Sequence, residues 1–461
     1  MSAKPIAASY RDPSGHVFDA GDAVLRSVMP PAAADFEFVG RTGLLEHLVQ
    51  EQLLIPFEPV DPSLLADAAP GAVHVLRHPR LPFISHPYEW PFPALQAAAV
   101  FHLDVHLRAL EAGVTLADAS AHNVQFAGSR PVFIDLLSFR PYQDGMLWAG
   151  HRQFCEQFLN PLLLTAATGV PYHAWYRGAP EGIPSRDVAR LLPKRRLWTR
   201  RGLLHVYLMG RLEGEATQRT AATVAATRLP SARLTNVLKD LRDWIAGLEP
   251  GDGPAAGWAR YADANSYLEG EREAKRAFVR TMVAATRPGM LWDVGCNTGE
   301  FAALALESGA GTVIGFDADH GALNAAFEHS ATEGLSFLPL YLDATNPTPD
   351  QGWAEGERVG LASRRCADAV LALALVHHLA IGRNVPLDDV VRWIASLAPT
   401  GVIEFVPKAD PMVQRLLALR PDIFDQYDEA TFLRAVERVG RVVETARITA
   451  SGRLLVRFER G

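Results

Sequence analysis

Cysteine is scarce in this chain. Only Cys155, Cys296 and Cys366 occur in 461 residues, scattered, with no CxxC pair and no metal-like spacing. A disulfide framework and a structural zinc site are therefore not expected. Long hydrophobic runs are also missing. The best candidates, near 371–379 and 97–110, are short or interrupted by His and Asp, so no membrane span is expected. The first residues, MSAKPIAASYRDPSG, hold neither an apolar signal core nor an Arg-rich presequence, which makes a cytoplasmic protein the expectation. Positive charge is not in excess. Asp plus Glu number 52 against 45 Lys plus Arg, and a net charge of -7 disfavours a nucleic-acid partner.

What is present is an ordinary soluble balance, 48% hydrophobic and 21% charged, in a chain long enough for two or three domains. Glu249-Pro-Gly-Asp-Gly-Pro-Ala-Ala-Gly257 reads as a linker, because its prolines and glycines sustain neither helix nor strand. It divides the chain into 1–92, an α+β segment, 93–248, mostly helical, and 258–461. In the first segment HVFD and AVLRSV flank an Ala-Gly-Asp turn, and a helix is expected over 35–54. Short strands are expected at 72–76, 83–85 and 132–134, with a long helix over 95–112. The basic run Arg186–Arg201 reads as a solvated face or an anion-binding patch.

After the linker, strands and helices alternate. Strands are expected at 290–294, 313–316, 336–342, 369–374 and 401–406, with helices between them. This implies an α/β doubly wound, mostly parallel sheet. Two closing strands, 442–448 and 453–458, have no helix between them and imply an antiparallel edge. In such sheets ligands bind beyond the carboxyl ends of the strands. The first strand runs into Asp293-Val-Gly295-Cys296-Asn297-Thr-Gly299, a DxGxxxG loop whose central glycine is replaced by Asn, a residue that tolerates left-handed angles. The second strand ends in Asp317-Ala318, suited to ribose hydroxyls, and the third in Asp343-Ala344, suited to an adenine amino group or simply to a turn.

These residues resemble a class I, Rossmann-like S-adenosylmethionine (SAM) methyltransferase over roughly 255–461. An NAD-dependent dehydrogenase usually carries GxGxxG instead. The resemblance implies that Asp293 holds the methionine end, Asp317 the ribose and Asp343 the adenine, with Gly295, Cys296, Asn297, Gly299, Ala318, Ala344 and Leu373 around the cofactor. Tyr261, Asn265, Ser266 and Tyr267 resemble a segment that covers the methionine carboxylate. His377 and His378, after the fourth strand, are candidate bases for an oxygen acceptor, or parts of a sheet-to-helix turn. Glu404 and Lys408 are candidates to line the acceptor pocket, or to form a solvated salt bridge. No Asn-Pro-Pro-Tyr-like tetrapeptide follows the fourth strand, which disfavours nucleic-acid or amide nitrogen. A small-molecule or carrier-bound acceptor is expected.

The first half holds a second constellation, Asp118-x4-Asn123 followed by the strand-end Asp135. It resembles the catalytic loop and metal-binding Asp of protein-kinase-like and aminoglycoside-phosphotransferase-like folds. The resemblance implies Asp118 as base and Asn123 and Asp135 as magnesium ligands facing ATP, with Arg26 in the place of the ATP-binding Lys and Glu46 or Glu51 as its partner. There is no Gly-rich loop before Arg26, and Asp135-Leu-Leu replaces DFG. The other reading makes Asp118 and Asn123 turn or cap residues in a domain that recognises substrate.

Overall fold

The computed structural model describes residues 3–215, 228–251, 269–418 and 420–460. Tyr261, Asn265, Ser266 and Tyr267, and linker residues 252–257, lie outside the described residues. The chain divides into two compact units. One comprises 1–127, 131–255 and 350–359, and the other 128–130, 256–349 and 360–461.

In the N-terminal unit five antiparallel strands form a sheet in the order β1-β2-β3-β5-β4. They are β1 (Lys4–Pro5), β2 (Val17–Asp19), β3 (Ala23–Val28), β4 (Glu58–Val60) and β5 (His74–Pro79). Between β3 and β4 the helix expected over 35–54 is two helices, α1 (Pro30–Arg41) and α2 (Leu44–Gln50). They part at Gly43, whose φ of 74° a continuous right-handed helix cannot hold. Residues 83–85 are not a strand. The Gln125 side chain ties that segment down, accepting from the Ser85 amide and donating to the Ser85 carbonyl, and Pro87–Glu89 forms a 3-10 turn instead. The long helix is α3 (Phe92–Glu111), started by Pro91 and Pro93 and buried along most of its length. Beyond it, β6 (Val114–Leu116) pairs with β9 (Phe139–Pro141), and β7 (Val124–Ala127) with β8 (Arg130–Phe133). Between 151 and 246 the regular elements of the described residues are all helical.

The C-terminal unit is built on a seven-stranded sheet in the order β12-β11-β10-β13-β14-β16-β15. The strands are β10 (Met290–Val294), β11 (Thr312–Asp317), β12 (Phe337–Tyr341), β13 (Ala369–Ala372), β14 (Thr400–Phe405), β15 (Arg441–Arg447) and β16 (Leu454–Glu459). The first five are parallel, and β16 inserts antiparallel to both β14 and β15. The expected doubly wound sheet is therefore present. β10 is central and buried along its whole length, as its Met-Leu-Trp-Asp-Val run requires. The chain leaves β10 for β11 on one side and reaches β13 on the other, which makes the carboxyl end of β10 the switch point of the sheet.

Candidate active site

A cavity of about 610 Å³ lies at that switch point. Its floor is the loop after β10. The Gly295 and Cys296 amides donate to the Phe316 carbonyl (2.7 and 3.1 Å), clamping the loop onto the end of β11. Gly295, Asn297 and Gly299 all have positive φ, at 85°, 47° and 87°. Asn297 thus occupies the left-handed region that its side chain tolerates, and its Oδ1 accepts from the Thr298 amide at 2.8 Å. The two glycines serve different purposes. A Cβ on Gly299 would stand 2.6 Å from the Phe337 ring, so that position is closed by packing. A Cβ on Gly295 would meet nothing nearer than 3.7 Å, so the space beside it is open.

Of the residues expected at the cofactor site, Asp293, Gly295, Cys296, Asn297, Asp317, Ala318, Asp343, Ala344 and Leu373 all line the cavity. Gly299 does not, and acts through the loop's backbone and its contact with Phe337. Asp293 is 2% exposed, and its Oδ2 has no hydrogen-bond partner. Burial, and then the neighbouring Asp317 carboxylate, push its pKa up to about 7. Asp317 is held from both sides: its Oδ2 accepts from the Asn297 amide at 2.8 Å and its Oδ1 from the Asp319 amide at 2.9 Å. Burial still raises its pKa. Asp343 accepts from the amide and hydroxyl of Thr345, so the turn role and the position at the cavity coexist in one residue.

His377 and His378 also line the cavity, their rings 4.1 Å apart. Burial lowers both pKa values, His377 well below the usual imidazole range and His378 to about 4, with the Arg453 cation adding to each. Both rings are therefore neutral at physiological pH. Nδ1 of His377 is buried without a partner.

Glu404 has a different place. It is fully buried and does not line the cavity. Its Oε2 accepts from the Lys275 ammonium at 2.7 Å and the Ala374 amide at 2.9 Å, and Arg453 Nη1 stands 3.4 Å from its Oε1. With its charge balanced and both oxygens engaged, Glu404 is not placed to line an acceptor pocket or to take a proton. It holds Ala374 at φ 50°, the strained turn where the chain leaves β13 for the two histidines. Lys408 makes a partly exposed ion pair with Asp422 at 2.8 Å. Sequence reasoning missed Lys275, on the helix Glu269–Thr286, and Arg453. Both line the cavity, and Arg453 is gripped by Asp410 at 2.7 and 3.0 Å. No local pattern announces an ion pair between residues 129 apart, as Lys275 and Glu404 are.

The N-terminal constellation is also brought together. Asn123 and Gln153 donate to Asp118, whose pKa is raised by burial and then by Asp135. Asn123 donates to Ser138 Oγ at 3.1 Å, and Ser138 donates to Asp135 Oδ2. Arg26 reaches Asp135 at 2.7 Å and Asp12 at 3.1 Å. This corrects its expected pairing with Glu46 or Glu51, since Glu46 is exposed and Glu51 bonds to Arg108 and His47. The basic run is largely exposed and partly paired, with Arg201 on Asp240 and Arg190 on Asp187.

Across 458 residues the chain is 47% identical to nodulation protein NoeA of Rhizobium meliloti (strain 1021), spanning 99% of this chain and 96% of that protein. The chain belongs to that protein's family. No protein-family model matches it. Solved structures similar to part of the chain include the magnesium protoporphyrin IX methyltransferase ChlM of Synechocystis PCC 6803 with bound S-adenosylhomocysteine (SAH). It is 17% identical over 48% of this chain and 99% of that one, with a TM-score of 0.32. The N-methyltransferase NodS of Bradyrhizobium japonicum WM9, in complex with SAH, is 12% identical over 45% and 98%, with a TM-score of 0.33. The bifunctional kinase-methyltransferase WbdD is 16% identical over 43% and 42%, with a TM-score of 0.29. Among the described residues no helix is long and apolar enough to cross a membrane.

Proposed function

We propose that the C-terminal unit is a class I SAM-dependent methyltransferase acting on a small-molecule or carrier-bound acceptor, with oxygen the favoured atom. The N-terminal unit is kinase-like and recognises that acceptor, and the protein works in the cytoplasm. One observation carries the reading. The ends of three successive strands bring Asp293, Asp317 and Asp343 to a single cavity, beside a glycine left open at its backbone. The donor set fits SAM. The partnerless oxygen of Asp293 suits an ammonium group, and Asp317 suits ribose hydroxyls. Asp343, the last of the three carboxylates, suits an adenine amino group.

SAM, when bound, supplies an electrophilic methyl group. The chain's residues bind and orient it, exclude water and receive the acceptor's proton. His378 is the proton acceptor and His377 packs beside it. A ring with a pKa of about 4 is always available as a base at neutral pH but is a weak one, and an anionic acceptor that offsets Arg453 strengthens it. Calorimetry with SAM and SAH tests the site, and labelled SAM with extracts of the producing cell tests the transfer. His378→Ala and His377→Ala are expected to lower turnover with SAM affinity retained. Unchanged turnover in both removes the base, and absent SAM and SAH binding removes the whole reading.

A second reading makes the protein bifunctional, with an ATP- and magnesium-dependent phosphotransferase in the N-terminal unit. The hydrogen-bonded group of Asp118, Asn123 and Asp135 favours it. The pairing of Arg26 with Asp135 favours recognition alone, because it neutralises the carboxylate that would hold magnesium. Titration with ATP and magnesium decides between them.

A further inference from the structure

A cluster that belongs to neither constellation points to a metal. His151, Cys155 and His205 direct their ligand atoms to one spot in the N-terminal unit, all within 4.8 Å of one another. His151 Nε2 and His205 Nδ1 are 2.8 Å apart. Cys155 and His205 are buried and His151 is partly buried. The surroundings exclude water from two sides, since the Trp148 ring stacks on His151 and the Trp244 ring lies 6.2 Å from that of His205. The supporting backbone is unusual. Cys155 begins one π-helical turn, Cys155–Leu159, and His205 sits in another, Leu203–Tyr207. Such turns recur where a helix must aim side chains at a functional spot. Two separate helices carry one here, and each presents a member of the cluster.

We propose that His151, Cys155 and His205 bind a borderline-soft divalent transition ion, zinc foremost, with water in the fourth position. A thiolate and two imidazoles are ligands that zinc favours over hard cations. With Zn–N of about 2.0–2.1 Å and Zn–S of about 2.3 Å, tetrahedral donors stand roughly 3.3–3.6 Å apart. The present spacing brackets that range, so side-chain movement of about an ångström closes the site. Binding forms one sulfur and two nitrogen bonds to the metal and releases the thiol proton to solvent. The ion clamps the helix after His151 to the turn at Leu203–Tyr207. Three scattered cysteines concealed the site, because its ligands are one helical turn and then fifty residues apart.

The test uses the full chain purified without chelator. Elemental analysis is expected to find about one zinc per chain. Adding zinc alone to chelator-treated protein is expected to raise its thermal midpoint. Cobalt as the probe is expected to give a thiolate-to-cobalt charge-transfer band. That band persists in the variant carrying Cys296→Ala and Cys366→Ala, where Cys155 is the sole thiol, and it disappears in Cys155→Ser. If Cys155→Ser fails to fold, the sole-thiol variant still decides. No stoichiometric metal, no band in the wild type, or loss of the band in the sole-thiol variant would each overturn the site.

Discussion

Replacing Asp293 by Asn isolates the group on which the candidate site turns. Asp293 is fully enclosed, and burial raises its pKa from an ordinary 3.8 to about 7. A raised carboxyl pKa stabilises the folded chain only while the proton is on. The contribution is complete below about pH 4 and is lost as pH climbs through about 7. Each pH unit between those limits is worth about 1.4 kcal/mol, so the interval amounts to about 4 kcal/mol at most. Asn does not titrate. The stability of wild type relative to Asp293→Asn should therefore fall by about 3 kcal/mol between about pH 5 and about pH 8, then level off. Hydrogen exchange of a peptide spanning Met290–Val294 reads the C-terminal unit by itself, which global unfolding of a two-unit chain does not. A difference that stays constant across that range would refute the assignment of a high pKa to Asp293. The ligand reverses the sign. An ammonium group beside Asp293 favours the carboxylate, so SAM binding near neutral pH should release a proton, seen by calorimetry in buffers of different ionisation enthalpy.

Glu404→Gln leaves Lys275 buried without its counter-ion and should cost about 3–5 kcal/mol in the C-terminal unit, while Lys275→Met added to it should restore most of the loss. Equal protection of the single and double variants in hydrogen exchange of the Met290–Val294 peptide would argue against coupling. Gly299→Ala combines a φ of 87° with a clash at 2.6 Å and should destabilise by about 2–4 kcal/mol. Gly295→Ala carries only the backbone strain, about 1–2 kcal/mol, yet should weaken SAM binding roughly tenfold or more by filling the open side of the loop.

The C-terminal sheet was legible because its signals are local. Apolar runs end in Asp293, Asp317 and near Asp343, and in parallel strands those ends lie on one side by geometry alone. Positive φ at Gly295, Asn297 and Gly299 follows from residue types that accept it. The role of Glu404 was not legible. Its position on β14 was clear, but its partners come from a helix 129 residues earlier and from the residue just before β16, 49 residues later. The split of α1 from α2 was missed for a smaller reason: apolar spacing continues across Gly43 while the backbone does not. The metal-like cluster was missed because spacing rules assume ligands on adjacent turns, and His205 arrives from another helix.

Two strand-end carboxylates show how far a shared sequence signal reaches. Asp135 and Asp317 each close a short apolar strand, and each invites the same expectation of ligand binding. Their partners separate them. Asp317 is met by backbone amides from Asn297 and Asp319, which fix its orientation without cancelling its charge. Asp135 is met by the guanidinium of Arg26, which does cancel it. A carboxylate held by amides keeps its charge for a ligand's hydroxyls, whereas one paired with a guanidinium must first give up that pair. The C-terminal carboxylate is therefore already oriented with its charge uncancelled, whereas the N-terminal one would bind a cation only at the expense of an ion pair it already has.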